Sequence, residues 1–336
     1  MISLAELKEI LANNDREFIE TLAQRARETT IRYFGRAVSL YSPLYLSNFC
    51  DNSCIYCGFQ KNREIDRKKL TVDEMHREMQ KVSATGIQNI LLLTGESRQM
   101  TPPDYIEDAV RTATQYFPSI SLEIYPLEVD EYRKLFSAGV DGITIYQETY
   151  NKIRYKELHP KGKKADYNHR YSTPKRIAEA GIRVINMGVL LGLSEVAADI
   201  YNLFLHLEWM EKHYPGVEYA LSFPRLIPLK NSAGDYVQVS DIILIKLICI
   251  ARLLFPRVGI NLSTRERAAV RDHALPLGVT RISAASKTTV GGYSLCAARD
   301  PQFDVMDNRS VEEIVNMLEQ KGFDPVFTDW RRIPNV

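Results

Sequence analysis

Short apolar runs alternate with amphipathic stretches along almost the whole chain. Eight of the runs read as strands: 38–46, Asn89–Leu93, Ser121–Tyr125, Gly142–Tyr146, Arg183–Val189, Glu218–Phe223, Gly259–Leu262 and Val279–Ser283. Between them the apolar residues recur every three or four positions, as in 72–85, 103–115, 129–137, 174–180, 196–213 and 240–254, which is the period of a helix with one buried face. A strand followed by a helix returns parallel to itself, so eight such units predict an α/β fold, a TIM-type (β/α)8 barrel. The alternative, an open doubly wound sheet, calls for a glycine-rich phosphate turn after its first strand, and cysteines stand there instead. Residues 2–33 precede the barrel with a helical pattern: Leu4, Leu7, Ile10 and Leu11 form one face, and Phe18, Ile19, Leu22 and Ala23 another. The predicted division is a helical extension over 1–36 and a barrel with C-terminal helix and tail over 37–336. Pro228–Gly234 reads as a solvated turn.

Composition narrows the functional class. Lys and Arg number 43 against 42 Asp and Glu, a net charge of +1, so the chain lacks the basic excess that nucleic acid or an anionic membrane surface would require. No stretch is long and apolar enough to cross a bilayer, and no secretory leader opens the sequence; a cytoplasmic enzyme is expected. Five cysteines in a chain of 336 residues do not make a disulfide framework.

Three of those cysteines, Cys50, Cys54 and Cys57, lie in one short loop after the first strand. Three thiolates fill three corners of a [4Fe–4S] cubane and leave one iron for a substrate or cofactor. Structural zinc needs four closed ligands, and no second CxxC pair or nearby Cys-x-His occurs. Cys249, between Ile248 and Ile250, reads as a small buried hydrophobe, and Cys296 has no close thiol neighbour.

Polar residues gather where the strands end, which is where barrel enzymes assemble their sites. They are Thr94-Gly95-Glu96 after strand two, Glu123 on strand three, Gln147-Glu148 after strand four, Arg225 after six, Thr264-Arg265-Glu266 after seven, and Ser283 and Ser286 at eight. Taken singly, each reads as a turn or a solvated charge. Together at one mouth, beside a cysteine loop, acids and bases call for charged ligands or mutual pairing.

The cysteine spacing, with Tyr56 before the third cysteine, resembles the radical S-adenosylmethionine (SAM) enzymes. From Leu22 onward the chain resembles the 2-iminoacetate synthases, the tyrosine lyases of thiamine biosynthesis. The stretches that carry this are Leu22–Ala26, Pro43–Asn48, Leu92–Glu96, Tyr146–Tyr150, Lys161–Lys164, Ser222–Leu226, Leu262–Glu266, Ser286–Thr288 and Gly291–Tyr293. The same branch holds a hydrogenase-maturation tyrosine lyase with an extra cluster domain, for which no second cysteine pair follows Cys57 here, and a tryptophan lyase.

The resemblance implies a [4Fe–4S] cluster on Cys50, Cys54 and Cys57, and SAM bound with the help of Tyr56, Gly95, Glu96, Glu123, Glu148 and Arg170. Tyr56 is expected near the adenine, Glu96 at the SAM amino group, Glu148 at the ribose or amino group, and Arg170 at the SAM carboxylate, unless Arg170 pairs with Asp166 on the surface. For the substrate, L-tyrosine, Arg265 is the expected carboxylate ligand, since a guanidinium fork binds a carboxylate through two parallel hydrogen bonds. Arg225 is its competitor, and Ser283 and Ser286 would add hydroxyl contacts. The resemblance also implies flavodoxin or ferredoxin as electron donor and thiazole synthase as protein partner. A methyltransferase-like or biotin-synthase-like barrel, and a non-enzymatic iron–sulfur carrier or scaffold, are the alternatives.

Overall fold

The computed structural model describes residues 2–228, 235–295 and 300–328. Residues 229–234 of the expected solvated turn, and Cys296, lie outside these.

The eight expected strands are present: β1 (Ala37–Ser47), β2 (Asn89–Thr94), β3 (Ser119–Glu123), β4 (Gly142–Glu148), β5 (Val184–Val189), β6 (Glu218–Ser222), β7 (Gly259–Leu262) and β8 (Arg281–Ser283). All pair in parallel in chain order, and β1 closes the barrel by pairing with both β8 and β2. The helices are α1 (Leu4–Ala12), α2 (Arg16–Phe34), α3 (Val72–Ser83), α4 (Pro103–Ala113), α5 (Val129–Ala138), α6 (Lys152–Leu158), α7 (Tyr167–Tyr171), α8 (Thr173–Glu179), α9 (Val196–His213), α10 (Asp241–Leu254), α11 (Ala268–Ala274) and α12 (Val311–Gln320). A short ninth strand, β9 (Asp324–Val326), pairs with Ala37–Ser39 of β1, below the point where β2 takes over that edge.

The period of two along each strand separates two layers. On β1, Leu40, Leu44 and Leu46 are fully buried in the apolar layer, while Tyr41, Pro43 and Tyr45 line the lumen. Half-way down, the lumen is polar and tied across: Asn186 Nδ2 donates to Ser222 Oγ (2.9 Å) and Thr144 Oγ1 (3.2 Å).

The N-terminal pattern is two helices rather than one. Asp15 accepts from the Phe18 amide at 2.8 Å and Asn13 from the Asp15 amide at 2.8 Å, so side chains that compete with the helical backbone stop one helix and start the next. Lys246, buried on α10, donates to Leu11 O at 3.0 Å and to Asn13 O, which docks the end of α1.

After β8 the chain crosses the open end of the barrel over residues 300–307. Gln302 N donates to Thr288 O (3.0 Å) and Met306 N to Thr264 O (2.9 Å). The far end of this strap is held by Asp307, buried between Arg271 and Arg309, with Arg309 paired in turn to Asp272 at 2.8 Å. Removing the shared acid would leave two guanidiniums facing each other, one of them fully buried. Asp307→Ala is therefore expected to lower stability by about 3 kcal/mol or more, read from urea midpoints, whereas a loss within measurement error would show that solvent replaces the carboxylate.

Candidate active site at the carboxyl end of the barrel

The cysteine loop leaves β1 already shaped by the elements around it. Asn48 exchanges side-chain bonds with the 66–68 segment, accepting from Lys68 N and donating to Asp66 O, each 2.7 Å. Arg67 gathers four carbonyls, Asn48 O (2.6 Å), Phe59 O (2.8 Å), Gln60 O (2.6 Å) and Arg63 O (3.4 Å), and so joins both ends of the loop. Between the cysteines, Asp51 N donates to Glu96 O, Ser53 N to Lys161 O and Ile55 N to Leu158 O. These bonds hold three thiols on one wall of the lumen.

Gly95 lines the cavity and also makes a close backbone contact within the protein. A Cβ there would collide with the carbonyl of Phe49, so the glycine lets the end of β2 press against the cysteine loop itself. Gly162, with φ +98°, does the same beside Asn52.

The thiols have no disulfide partner, and burial pushes all three up, Cys50 to about 11. Among the described residues no three His, Cys, Asp or Glu side chains converge on one ion position. A cluster does not require such convergence, since each thiolate binds a separate iron. Cys249 is buried in α10, away from the site.

Next to the cysteines stands a buried group of four charges. Arg170 NH1 reaches Glu96 Oε1 (3.0 Å) and NH2 reaches Glu148 Oε1 (3.2 Å), while Lys164 Nζ lies 2.7 Å from Glu148 Oε1 and 3.5 Å from Glu96 Oε1. Arg170 is thus inside the barrel mouth and does not pair with Asp166, whose carboxylate caps α7 at the His169 amide. Burial alone would raise the Glu96 carboxyl, but Lys164 and Arg170 outweigh it and hold it at about 2. Asn52 ties the group to the cysteine loop by donating to Glu96 Oε2 at 2.9 Å. Glu148 sits at a register shift in β4 with φ +71°, a left-handed backbone that is costly for a non-glycine residue and persists where its surroundings fix it. The other such residue, Ala285 (φ +49°), stands next to Ser286 at the same end of the barrel.

Tyr56 turns its ring toward His159 and hydrogen-bonds Nε2 at 2.9 Å. His159 Nδ1 is 2.7 Å from the Tyr155 carbonyl, which can only accept, so Nδ1 carries the proton and Nε2 accepts from Tyr56. Burial holds the imidazole at about 3, neutral at ordinary pH.

Two further charges line the cavity apart from this group: Glu123 on β3, between the strands that carry Glu96 and Glu148, and Arg265 after β7, across the lumen. Arg265 has no carboxylate within ion-pair distance among the described residues, and its guanidinium lies flat on Phe303, 3.5 Å from the ring centroid. Glu123, the last residue of β3, also has no hydrogen-bond or ion-pair partner among the described residues, and burial followed by repulsion from Glu148 raises it to about 7. Ser286 Oγ and Thr94 Oγ1 are buried beside the same cavity without partners. Ser283 Oγ accepts from Thr264 N at 3.0 Å and so shapes the loop that carries Arg265.

Arg225 is not a free competitor for an anion. Its Nε is 3.0 Å from Glu266, its NH1 2.8 Å from Asp241 and 2.9 Å from Val239 O, and it lies outside the cavity wall. Lys164, Tyr45, Tyr146 and Phe303 also line the cavity and His159 backs Tyr56, though none of the five was among the expected site residues.

Comparison with known proteins agrees with this geometry. Residues 44–204 match the model of the radical SAM superfamily, and residues 222–324 that of the biotin and thiamin synthesis associated domain. The 2-iminoacetate synthase of Salmonella typhimurium is 39% identical over 98% of this chain and 88% of its own length; that of Escherichia coli is 40% identical over 93% and 83%. The FeFe-hydrogenase maturase HydG from Carboxydothermus hydrogenoformans superposes with a TM-score of 0.90 at 34% identity, covering 97% of this chain and 76% of that one.

Two measurements test the site as built. Glu123 binds its proton more tightly folded than unfolded, so its contribution to stability falls as pH rises from the ordinary carboxylate range to about 7 and is flat above. Glu123→Gln should therefore gain on the parent protein between about pH 5 and about pH 8, by on the order of 2 kcal/mol in urea unfolding; an equal difference at both pH values would place the carboxyl in ordinary water. Gly95→Ala should lower the iron bound after anaerobic reconstitution while leaving the far-ultraviolet circular dichroism unchanged, and full iron content would show that the loop yields.

Proposed function

Because the chain belongs to the 2-iminoacetate synthases of the radical SAM superfamily, we infer that its barrel mouth is the place where the Cα–Cβ bond of L-tyrosine is cut, giving 2-iminoacetate and p-cresol for thiazole formation. The observation that carries this reading is the separation, within one mouth, of a cysteine wall with internally paired charges from the β7 side, where Arg265 has no carboxylate partner among the described residues. A cofactor and an amino acid need two such sides.

The residues present fit the cofactors of the superfamily. Three thiols of one preshaped loop suit a cluster with one open corner, and Ser286 and Thr94 leave buried hydroxyls without partners next to it. Cys50, Cys54 and Cys57 would hold the [4Fe–4S] cluster. Glu96, Glu148 and Arg170, with Lys164, would receive the amino-acid end and ribose of SAM, and Tyr56, fixed by His159, would flank the adenine. Glu123 is assigned to the cofactor side of the cavity. When bound and reduced, the cluster supplies the electron that splits SAM into methionine and a 5′-deoxyadenosyl radical, which takes hydrogen from the substrate's amino group.

The protein's own task is to bind, orient and exclude water. Arg265 is proposed to take the tyrosine carboxylate. Stacking on Phe303 covers the face of its guanidinium and leaves the N–H edges for a bidentate anion. Ser286 would add a hydroxyl, and Ser283 acts one step back by holding Thr264. Arg225, saturated by Glu266 and Asp241, braces the same loop from outside.

A one-electron donor of the flavodoxin or ferredoxin class and a thiazole synthase that receives the water-labile imine complete the proposal. Adding tyrosine, SAM and dithionite to the anaerobically reconstituted protein should yield p-cresol and glyoxylate. Products from tryptophan alone would reassign the substrate, and absence of 5′-deoxyadenosine would leave a cluster carrier. Arg265→Ala should keep iron and SAM binding while losing roughly a hundredfold in kcat/KM for tyrosine, the range expected when one member of a buried charge pair is removed. Unchanged kinetics would remove Arg265 from the substrate site.

A further inference from the structure

The electron that starts the reaction must enter through whatever protein lies between the cysteine loop and solvent. Asn52, Ser53 and Cys54 are themselves buried. Two segments cover them: Lys61 N donates to Asn52 O at 2.8 Å, and on the other side Ser53 N donates to Lys161 O at 3.1 Å and Lys164 N to Asn52 Oδ1 at 3.0 Å. Gly162, whose missing side chain is what lets this strand of backbone lie on Asn52, sits between Lys161 and Lys163.

The side chains of these covering segments divide by direction. Lys164 turns inward to Glu148 and Glu96. Lys61, Lys161 and Lys163 are exposed, and none is within ion-pair distance of an acid among the described residues. Residues 60–69 hold five basic and two acidic side chains, with Lys68 paired to Glu74, and 160–163, without the inward Lys164, hold two basic and none, in a chain whose net charge is only +1. The acids that share the face are Asp51, Glu64, Asp66 and Asp166, all exposed, with Asp166 engaged as a helix cap. A local basic surplus on an otherwise neutral protein steers an oppositely charged partner to one place.

Resting on the radical SAM reading above, we propose that Lys61, Lys161 and Lys163 form the docking surface for an acidic one-electron carrier protein, which delivers its electron across Asn52–Cys54. One electron leaves the carrier, the oxidised cluster gains it, and no proton or other reactant is required. Three lysines rather than one binding pocket suit a transient partner that must leave oxidised. Such contacts act mainly on encounter rate and are screened by salt.

The test compares two reductants on the cluster-loaded protein, reading loss of the cluster's visible absorbance, which does not depend on tyrosine. With reduced flavodoxin, cluster reduction in the parent protein should slow as salt rises from about 50 to about 300 mM, over which the screening length falls from about 14 to about 6 Å. The triple variant Lys61→Glu, Lys161→Glu, Lys163→Glu should be reduced at least roughly tenfold more slowly by flavodoxin and lose that salt dependence, while dithionite reduces it within about twofold of the parent. The milder triple Gln variant should show the same order with a smaller effect, and settles the matter if charge reversal impairs cluster loading. Flavodoxin reduction of either variant at the parental rate and salt dependence would overturn the docking surface. Failure of the parent protein to cleave tyrosine with dithionite would instead overturn the lyase reading and leave the reduction experiment standing.

Discussion

Four charges buried together at the barrel mouth hold this site in place. Glu96 comes from the end of β2, Glu148 from the end of β4, Arg170 from α7 and Lys164 from the turn before it, so the group braces four segments against one another. Burying any of these charges alone would be costly, and each is tolerated because two opposite charges face it. The strained backbone of Glu148 fits the same account, since a left-handed residue persists only where several contacts fix it. Through Asn52 the group reaches between the first two cysteines, so the shape of the thiol wall depends on electrostatics across the lumen as well as on the loop's own hydrogen bonds.

That balance contrasts with two other charges of the mouth. Arg265, after β7, and Glu123, on β3 between the strands of Glu96 and Glu148, are buried beside one cavity, and neither has a hydrogen-bond or ion-pair partner among the described residues. Burial works against both charges: it lowers the guanidinium and raises the carboxyl toward neutral pH. An unpaired charge held at such a cost is most simply explained by a ligand that completes it. The paired charges thus brace the cysteine side of the mouth, and the unpaired ones are the reason Arg265 is proposed to take an anion. Arg225 shows the value of the distinction: in sequence it is as good a candidate as Arg265, and in space its Glu266 and Asp241 bonds leave nothing for an anion.

The barrel was legible because its signal is local. Alternation within each strand and the helical period between strands survive in the sequence, and eight units with no phosphate turn leave few topologies. The cysteine triad was legible for the same reason, three ligands being carried within eight residues. What stayed hidden depends on contacts distant in the chain. The strand Asp324–Val326 has no pattern of its own, contains a proline, and exists because Ala37–Ser39 offers an open edge. Lys164 lies in a lysine-rich run that reads as solvated, and only the fold shows that it turns inward while Lys161 and Lys163 do not. The N-terminal break was readable in principle from Asn13-Asn14-Asp15, whose side chains favour a cap over a continuing helix.

The strap over residues 300–307 joins the two walls into one device. Gln302 accepts from the Tyr45 hydroxyl at 2.6 Å, and its carbonyl lies where Gly58, next to the last cysteine, leaves room for it. One residue later Phe303 supports Arg265, and its carbonyl is fixed by Thr288 at 2.8 Å. Two adjacent residues therefore touch the cysteine loop and the proposed carboxylate ligand, so a displacement at one wall must be felt at the other. On the proposed reading, a radical generated beside the cysteines has to meet a substrate held by Arg265 in one orientation, and a short, doubly anchored segment spanning both would fix that distance more firmly than two independent loops could.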